Sequence, residues 1–189
     1  VDLSDVERVQ CGLTLEPAIA QLVAMKMDWR VRKVRRYSQH RTVEGMGASL
    51  DYEIVGGGQT APSWPGSPAA AGVLELKNVD WLERQKWGDE PPLAYQLQLQ
   101  HQLACTRRRW GAIGVLVGGN SVEVFVYPAR PDVQRTLEAA VAAFWQSVRD
   151  GVEPPVVPEE GDGEILAQLH NKTRPGSLLD LRLAPSSPD

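Results

Sequence analysis

The stretch GVLELKN, residues 72–78, sets two demands against each other. Val73, Leu74 and Leu76 ask for burial, while Glu75 and Lys77 carry charge in the middle of the run. A strand resolves the conflict, because successive side chains point to opposite faces. Leu74 and Leu76 then face one way and Glu75 and Lys77 the other, the two charged groups about 6–7 Å apart along the strand. Charge is costly to bury without a partner. The face shared by Glu75 and Lys77 is therefore either a solvated one crossed by an ion pair or the wall of a site.

Working outward, ASLDYEIV (48–55) reads as a second strand. It is joined to the first through GGGQTAPSWPGSPAAAG (56–72), whose Gly, Pro, Ser and Ala allow only a loop. The two strands should pair as a hairpin with a long connection. Upstream, WRVRKVRRY (29–37) carries Val31, Val34 and Tyr37 among bases and reads as a strand with a charged face. Before it, GLTLEPAIAQLVAMKM (12–27) spaces Ile19, Leu22, Val23 and Met27 as a helix does, with Pro17 suited to a first turn. Downstream, VDWLERQKWGDEPP (79–92) reads as a surface excursion.

LAYQLQLQHQLACT (93–106) alternates Gln and Leu with the period of a strand. Its length, its helix formers and the preceding Pro91-Pro92 pair predict a helix instead, with Leu99 and Leu103 inward. WGAIGVLVGG (110–119) is a buried strand, Gly119-Asn120 a tight turn and SVEVFVYP (121–128) an alternating partner. Residues 132–149 form an amphipathic helix around Val133, Leu137, Val141, Phe144 and Val148. The expectation is an α/β fold, a central mixed β-sheet flanked by helices in the order α-β-β-β-α-β. It occupies one domain over residues 1–152, followed by a Pro-rich acidic tail over 153–189 with a short helical piece near Ile165–Leu169.

With 189 residues, 42% of them hydrophobic, the chain can bury one substantial core. No apolar run approaches a membrane span and no secretory leader is visible, which predicts a cytoplasmic protein without membrane contact. Cys11 and Cys105 lack metal-site spacing and read as two reduced thiols. The net charge of −4 conceals a segregation. Six acids and no base lie between Asp150 and Glu164, so the rest of the chain carries +2. Arg30, Arg32, Lys33, Arg35, Arg36 and Arg41 form one basic cluster and Arg107, Arg108 and Arg109 another. Such clusters suit a polyanion, and solvated element ends would look the same. His40, His101 and His170 have no partners in sequence and read as ordinary polar residues.

If residues 48–55 and 72–78 pair, Asp51 can stand beside Glu75 on one face. Two neighbouring carboxylates repel unless a cation lies between them, and oxygen ligands suit magnesium or manganese. Lys77 would then reach the outer sphere of that cation, where it could orient water or stabilise charge on a phosphate. Glu16 could add a third carboxylate. Against this stands the shortness of an Asp … Glu-x-Lys pattern, which an exposed ion pair would also produce.

Taken in order, GLTLEPAIA, GMGASLDYEI, GVLELKN, YQLQLQHQLACT, WGAIGVLVGG and FWQSVRDGVEPP resemble the PD-(D/E)XK nuclease superfamily over residues 10–155. More narrowly they resemble its YqaJ-like viral recombinase, lambda-exonuclease-related group. The resemblance implies Asp51, Glu75 and the Leu76 carbonyl as metal ligands for Mg2+, which Mn2+ could replace, with Glu16 supporting that ion or a second one. It implies Lys77 and Gln98 as catalytic groups, and Tyr95 and Gln100 beside the DNA. Arg30, Arg32, Lys33, Arg35, Arg107 and Arg108 would complete the DNA-binding surface. The implied activity is phosphodiester hydrolysis in linear double-stranded DNA during phage recombination. The implied partners are a single-strand annealing protein and further copies of the chain, in a trimer. A site-specific endonuclease, or a non-catalytic DNA-binding or assembly protein on the same fold, would carry the same core. The sequence departs from the family pattern at Tyr52, where Gly is common.

Overall fold

Eleven elements follow one another in the computed structural model, which describes residues 6–57 and 71–153. They are α1 (Glu7–Met27), β1 (Trp29–Lys33), β2 (Tyr37–Gln39), β3 (Gly47–Ser49), β4 (Tyr52–Gly57), β5 (Gly72–Val79), α2 (Trp81–Gln85), α3 (Leu93–Thr106), β6 (Trp110–Val117), β7 (Ser121–Pro128) and α4 (Pro131–Asp150). The main sheet has the order β1-β4-β5-β6-β7, antiparallel throughout except for the parallel pair β5–β6. Parallel neighbours need a crossover, and α2 and α3 supply it. β2 and β3 form a separate two-stranded sheet.

The alternation in GVLELKN holds. Leu74 and Leu76 pack on the α1 side with Ile19, Val23, Tyr52, Ile54 and Trp110. Val73 and Val79 pack on the α3 side with Leu99, Leu103, Ile113 and Val115. Every residue of β6 is buried, because helices cover both of its faces. Two glycines permit that closeness: a Cβ at Gly111 would lie 2.8 Å from Leu99, and one at Gly114 2.7 Å from Val23.

Four expectations change. The helix expected over 12–27 begins at Glu7, so Pro17 lies in its interior rather than in its first turn. The charged strand over 29–37 is two strands, β1 and β2, belonging to different sheets. The strand over 48–55 breaks at Leu50–Asp51, where the chain leaves the small sheet and joins the large one. The excursion over 79–92 contains the short helix α2, capped by Asp80 through its bond from the Leu82 amide. The expected helix over 93–106 is α3, since tertiary packing of Leu99 and Leu103 overrides the strand-like Gln-Leu alternation. The short helical piece near residues 165–169 lies outside the described residues, as does most of the connection between β4 and β5. Among the described residues, no helix is long and apolar enough to cross a membrane.

Candidate active site

The break at Leu50–Asp51 makes the site. In the antiparallel register of β4 and β5 the last pair is Tyr52 with Leu74, and one more step would set Asp51 opposite Glu75. Here the β4 backbone has already turned away. The Leu76 amide donates to Asp51 Oδ2 at 2.9 Å, so a side-chain carboxylate replaces the missing ladder acceptor. The carbonyl of a strand residue points to the same edge as its amide, so the Leu76 carbonyl is directed toward Asp51 as well.

Glu75 is 3% exposed and both of its oxygens are occupied. Oε1 accepts from Lys77 Nζ at 2.6 Å and from Gln98 Nε2 at 2.7 Å, while Oε2 accepts from Gln102 Nε2 at 2.6 Å. Lys77 Nζ also donates to Gln98 Oε1 at 2.9 Å and lies 4.9 Å from the centre of the Tyr95 ring. Gln98 and Gln102 are four residues apart on α3 and therefore share its inner face. Gln102, 2% exposed, escaped the sequence reading. The i, i+4 relation to Gln98 was its only signal, and the Gln-Leu alternation obscured it.

Asp51, Glu75, Leu76 and Lys77 line a cleft of about 260 Å³ closed on its other side by Gly12 and Glu16 of α1. Burial pushes the Asp51 carboxyl up to about 6, and the nearby charge of Glu75 adds to the shift, with Glu16 contributing in the same sense. The Leu76 amide and Lys77 pull it down without cancelling the rise. Glu16 forms an ion pair with Lys33, whose amine also lies 5.1 Å from the centre of the Tyr52 ring.

Among the described residues, no group of three or more His, Cys, Asp and Glu side chains converges as a metal site. The donors that do meet are two carboxylates and one backbone carbonyl. That set fits magnesium, which is held by one or two carboxylates and keeps several waters. Burial first, and the neighbouring Glu75 charge second, hold Asp51 above its usual range, and a cation between the two carboxylates would relieve both.

The other expected residues divide. Tyr95 stands against Lys77 and, edge-on at 5.7 Å, against Trp87. Gln100 is not at the site. It is 4% exposed, donates to the Pro128 carbonyl at 2.9 Å and accepts from the Arg130 amide at 2.8 Å, tying α3 to the start of α4. It points to the other side of α3, two residues from Gln98 and Gln102. Arg32 and Lys33 are engaged by Glu53 and Glu16, on opposite faces of the sheet. Arg108 also binds Glu53, at 2.9 Å. Arg30, Arg35 and Arg107 are exposed. His40 accepts from the Val43 amide at 3.1 Å and lies 3.5 Å from a Glu138 carboxylate oxygen, and His101 contacts the Gly47 carbonyl at 3.0 Å.

A mixed sheet crossed by a parallel pair, with Asp, Glu-x-Lys and a helical Gln around one cleft, defines a nuclease-like α/β protein. The profile of the YqaJ-like viral recombinase domain matches residues 2–109, and the chain belongs to that family. No curated protein matches the sequence. Among solved structures, the chain is similar to LHK-Exo, an alkaline exonuclease from Laribacter hongkongensis. The TM-score is 0.59 at 21% identity, over 85% of this chain and 75% of that one. A complex of LHK-Exo with dAMP gives 0.56 at 22%, over 86% and 73%. At these identities the likeness establishes a shared fold.

Proposed function

We propose that the protein is a Mg2+-dependent deoxyribonuclease, an exonuclease that hydrolyses phosphodiesters of linear duplex DNA in phage-type recombination. Membership in the YqaJ-like family and the alkaline exonuclease fold support this reading. The observation that carries it is the Asp51–Glu75 pair, left short of positive charge in a cleft that presents a lysine amine. A divalent cation held by Asp51, Glu75 and the Leu76 carbonyl would supply an activated water and neutralise charge on the phosphate. Glu75 is held by Gln102 through Oε2, and Oε1, which accepts from Lys77 and Gln98, is the oxygen a cation would take. Lys77, steered by Gln98 and the Tyr95 ring, places its ammonium where charge develops on the phosphate oxygens. Glu16 closes the cleft from α1 while Lys33 balances its charge. Assembly with a single-strand annealing protein and into a trimer belongs to the same proposal.

The test compares linear and circular duplex DNA in Mg2+ and in EDTA. Loss of the linear form alone, only with Mg2+, is the expected result. Nicked circles would make the protein an endonuclease. DNA left intact under both conditions would reduce the fold to a binding module.

A further inference from the structure

A second polar cavity, of about 610 Å³, opens beside β2 and the C-terminal end of α3, away from the carboxylate cleft. Four guanidinium groups line it: Arg36 and Arg41 from the segment around β2, and Arg107 and Arg108 from the end of α3. Among the described residues, the carboxylate in contact with them is Glu53, 3% exposed, whose Oε1 binds Arg108 at 2.9 Å and Arg36 at 3.6 Å. Arg41 and Arg107 are exposed, and neither has an ion-pair partner among the described residues. One buried negative charge therefore anchors two of the four positive groups and leaves the other two uncompensated, and Gln39 and Thr106 add polar groups to the lining.

Arg107 adds an independent sign. It caps α3 with φ 54° and ψ 31°, the left-handed conformation that Gly adopts at least cost. The end of the helix would be satisfied better by Gly, and a guanidinium stands there instead. Glu53, moreover, lies two residues after Asp51 in the chain, so the carboxylate that holds Arg36 and Arg108 is about 7 Å of extended chain from the carboxylate cleft.

We infer that Arg36, Arg41, Arg107 and Arg108 form a groove for the phosphodiester backbone of a DNA strand, positioning that strand as it runs to the cleft. The inference rests on the nucleic-acid reading of the fold, and not on the metal assignment. Arg36 and Arg41 belong to the first basic cluster of the sequence, and Arg107 and Arg108 to the second. Arg32, Arg36 and Arg108 share the single charge of Glu53, and Lys33 is paired with Glu16, so Arg41 and Arg107 are the groove residues without an ion pair among the described residues.

The test is equilibrium binding in EDTA, so that it is independent of cleavage. Labelled duplex and single-stranded DNA are titrated at several salt concentrations against Arg41→Gln, Arg107→Gly and the double variant. Arg135→Gln, on the exposed side of α4, serves as a control. Each groove variant is expected to make the slope of log affinity against log salt shallower by about 0.9 on duplex, or about 0.7 on a single strand. Affinity at 0.1 M salt should fall about five- to tenfold per variant, with Arg135→Gln unchanged. Arg107→Gly should melt at or above the wild-type temperature, which separates lost binding from lost structure. Slopes matching wild type in both groove variants would overturn the groove, even for a protein that cuts DNA. So would variants that weaken inorganic phosphate binding while leaving the DNA slope intact, because the cavity would then be a small-anion site. A shallower slope in a protein that never cuts DNA would uphold the groove and remove the nuclease reading.

Discussion

Two glutamates on the same face of neighbouring strands, Glu53 on β4 and Glu75 on β5, are each 3% exposed, and their surroundings differ completely. Glu53 is met by Arg32 at 2.6 Å, Arg108 at 2.9 Å and Arg36 at 3.6 Å. Burial works against its charge, but the hydrogen bond from Arg32 and the charge of Arg108 prevail and hold its carboxyl below the usual range. Glu75 is met by two amides and one lysine, and a second carboxylate nearby, Asp51, is pushed up to about 6 by burial and, secondarily, by the charge of Glu75. Around Glu53 the protein supplies more positive charge than it needs. Around Glu75 and Asp51 it supplies less. Buried charge that is fully compensated is architecture, and the same charge left short is the feature on which the proposed cation site rests.

The sharpest break in this comparison is removal of each carboxylate. Asp51→Asn and Glu75→Gln should each lower Mg2+-dependent hydrolysis by about a thousandfold or more, since a lost metal ligand removes several kcal/mol of transition-state stabilisation. Near-normal rates in either variant, measured on linear duplex, would take that residue out of the metal site. Next in size is a gain. A carboxyl whose folded pKa is about 6, against an unfolded value near 4, binds its proton more tightly in the folded state. In EDTA, stability should therefore fall as pH rises from about 4 to about 6 and stay low above that. Asp51→Asn should flatten this dependence and raise stability at pH 7 by up to about 3 kcal/mol. Denaturant melts across that pH range measure both effects, and a variant no more stable than wild type would mean that Asp51 carries no strain.

Lys77→Ala comes third, with turnover expected to fall about a hundredfold while DNA affinity changes little. Single-turnover kinetics against binding isotherms distinguishes this from a phosphate clamp, for which affinity and rate would fall together. Smallest is Glu53→Gln, which should cost about 2 kcal/mol through weakened bonds to charged donors, with the chemical step unaffected. A loss of turnover as large as that in Glu75→Gln would erase the distinction between the two glutamates.

Much of this was legible in the sequence. The alternation in GVLELKN fixed the orientation of β5, and with it the shared face of Glu75 and Lys77, because period two admits one solution when half the residues are apolar. Asp51 opposite Glu75 followed from a hairpin. What was hidden depends on contacts distant in the chain. Nothing in ASLDYEIV announces that Ala48 and Ser49 belong to another sheet and that Leu50 and Asp51 belong to neither, yet that departure frees the Leu76 amide for Asp51. Gln100 and Gln102 look alike in QLQLQHQ. Only the helical turn sends one to the Pro128 carbonyl and the other to Glu75. The arginines looked alike too, until Glu53 and Glu16 engaged Arg32 and Lys33 and left Arg41 and Arg107 without an ion pair among the described residues.

The parallel seam between β5 and β6 has a consequence for the order of synthesis. Glu75 pairs in register with Ile113, and its amide partners lie on the helix that crosses between them. A nascent chain that has already displayed Asp51, Glu75 and Lys77 still lacks Gln98, Gln102 and the strand that seats β5. Non-local pairings of this kind form slowly and only once both segments have emerged. A product released early by the ribosome would therefore carry the reactive side chains without the means to aim them. Whatever cutting power the finished protein has is withheld from its fragments.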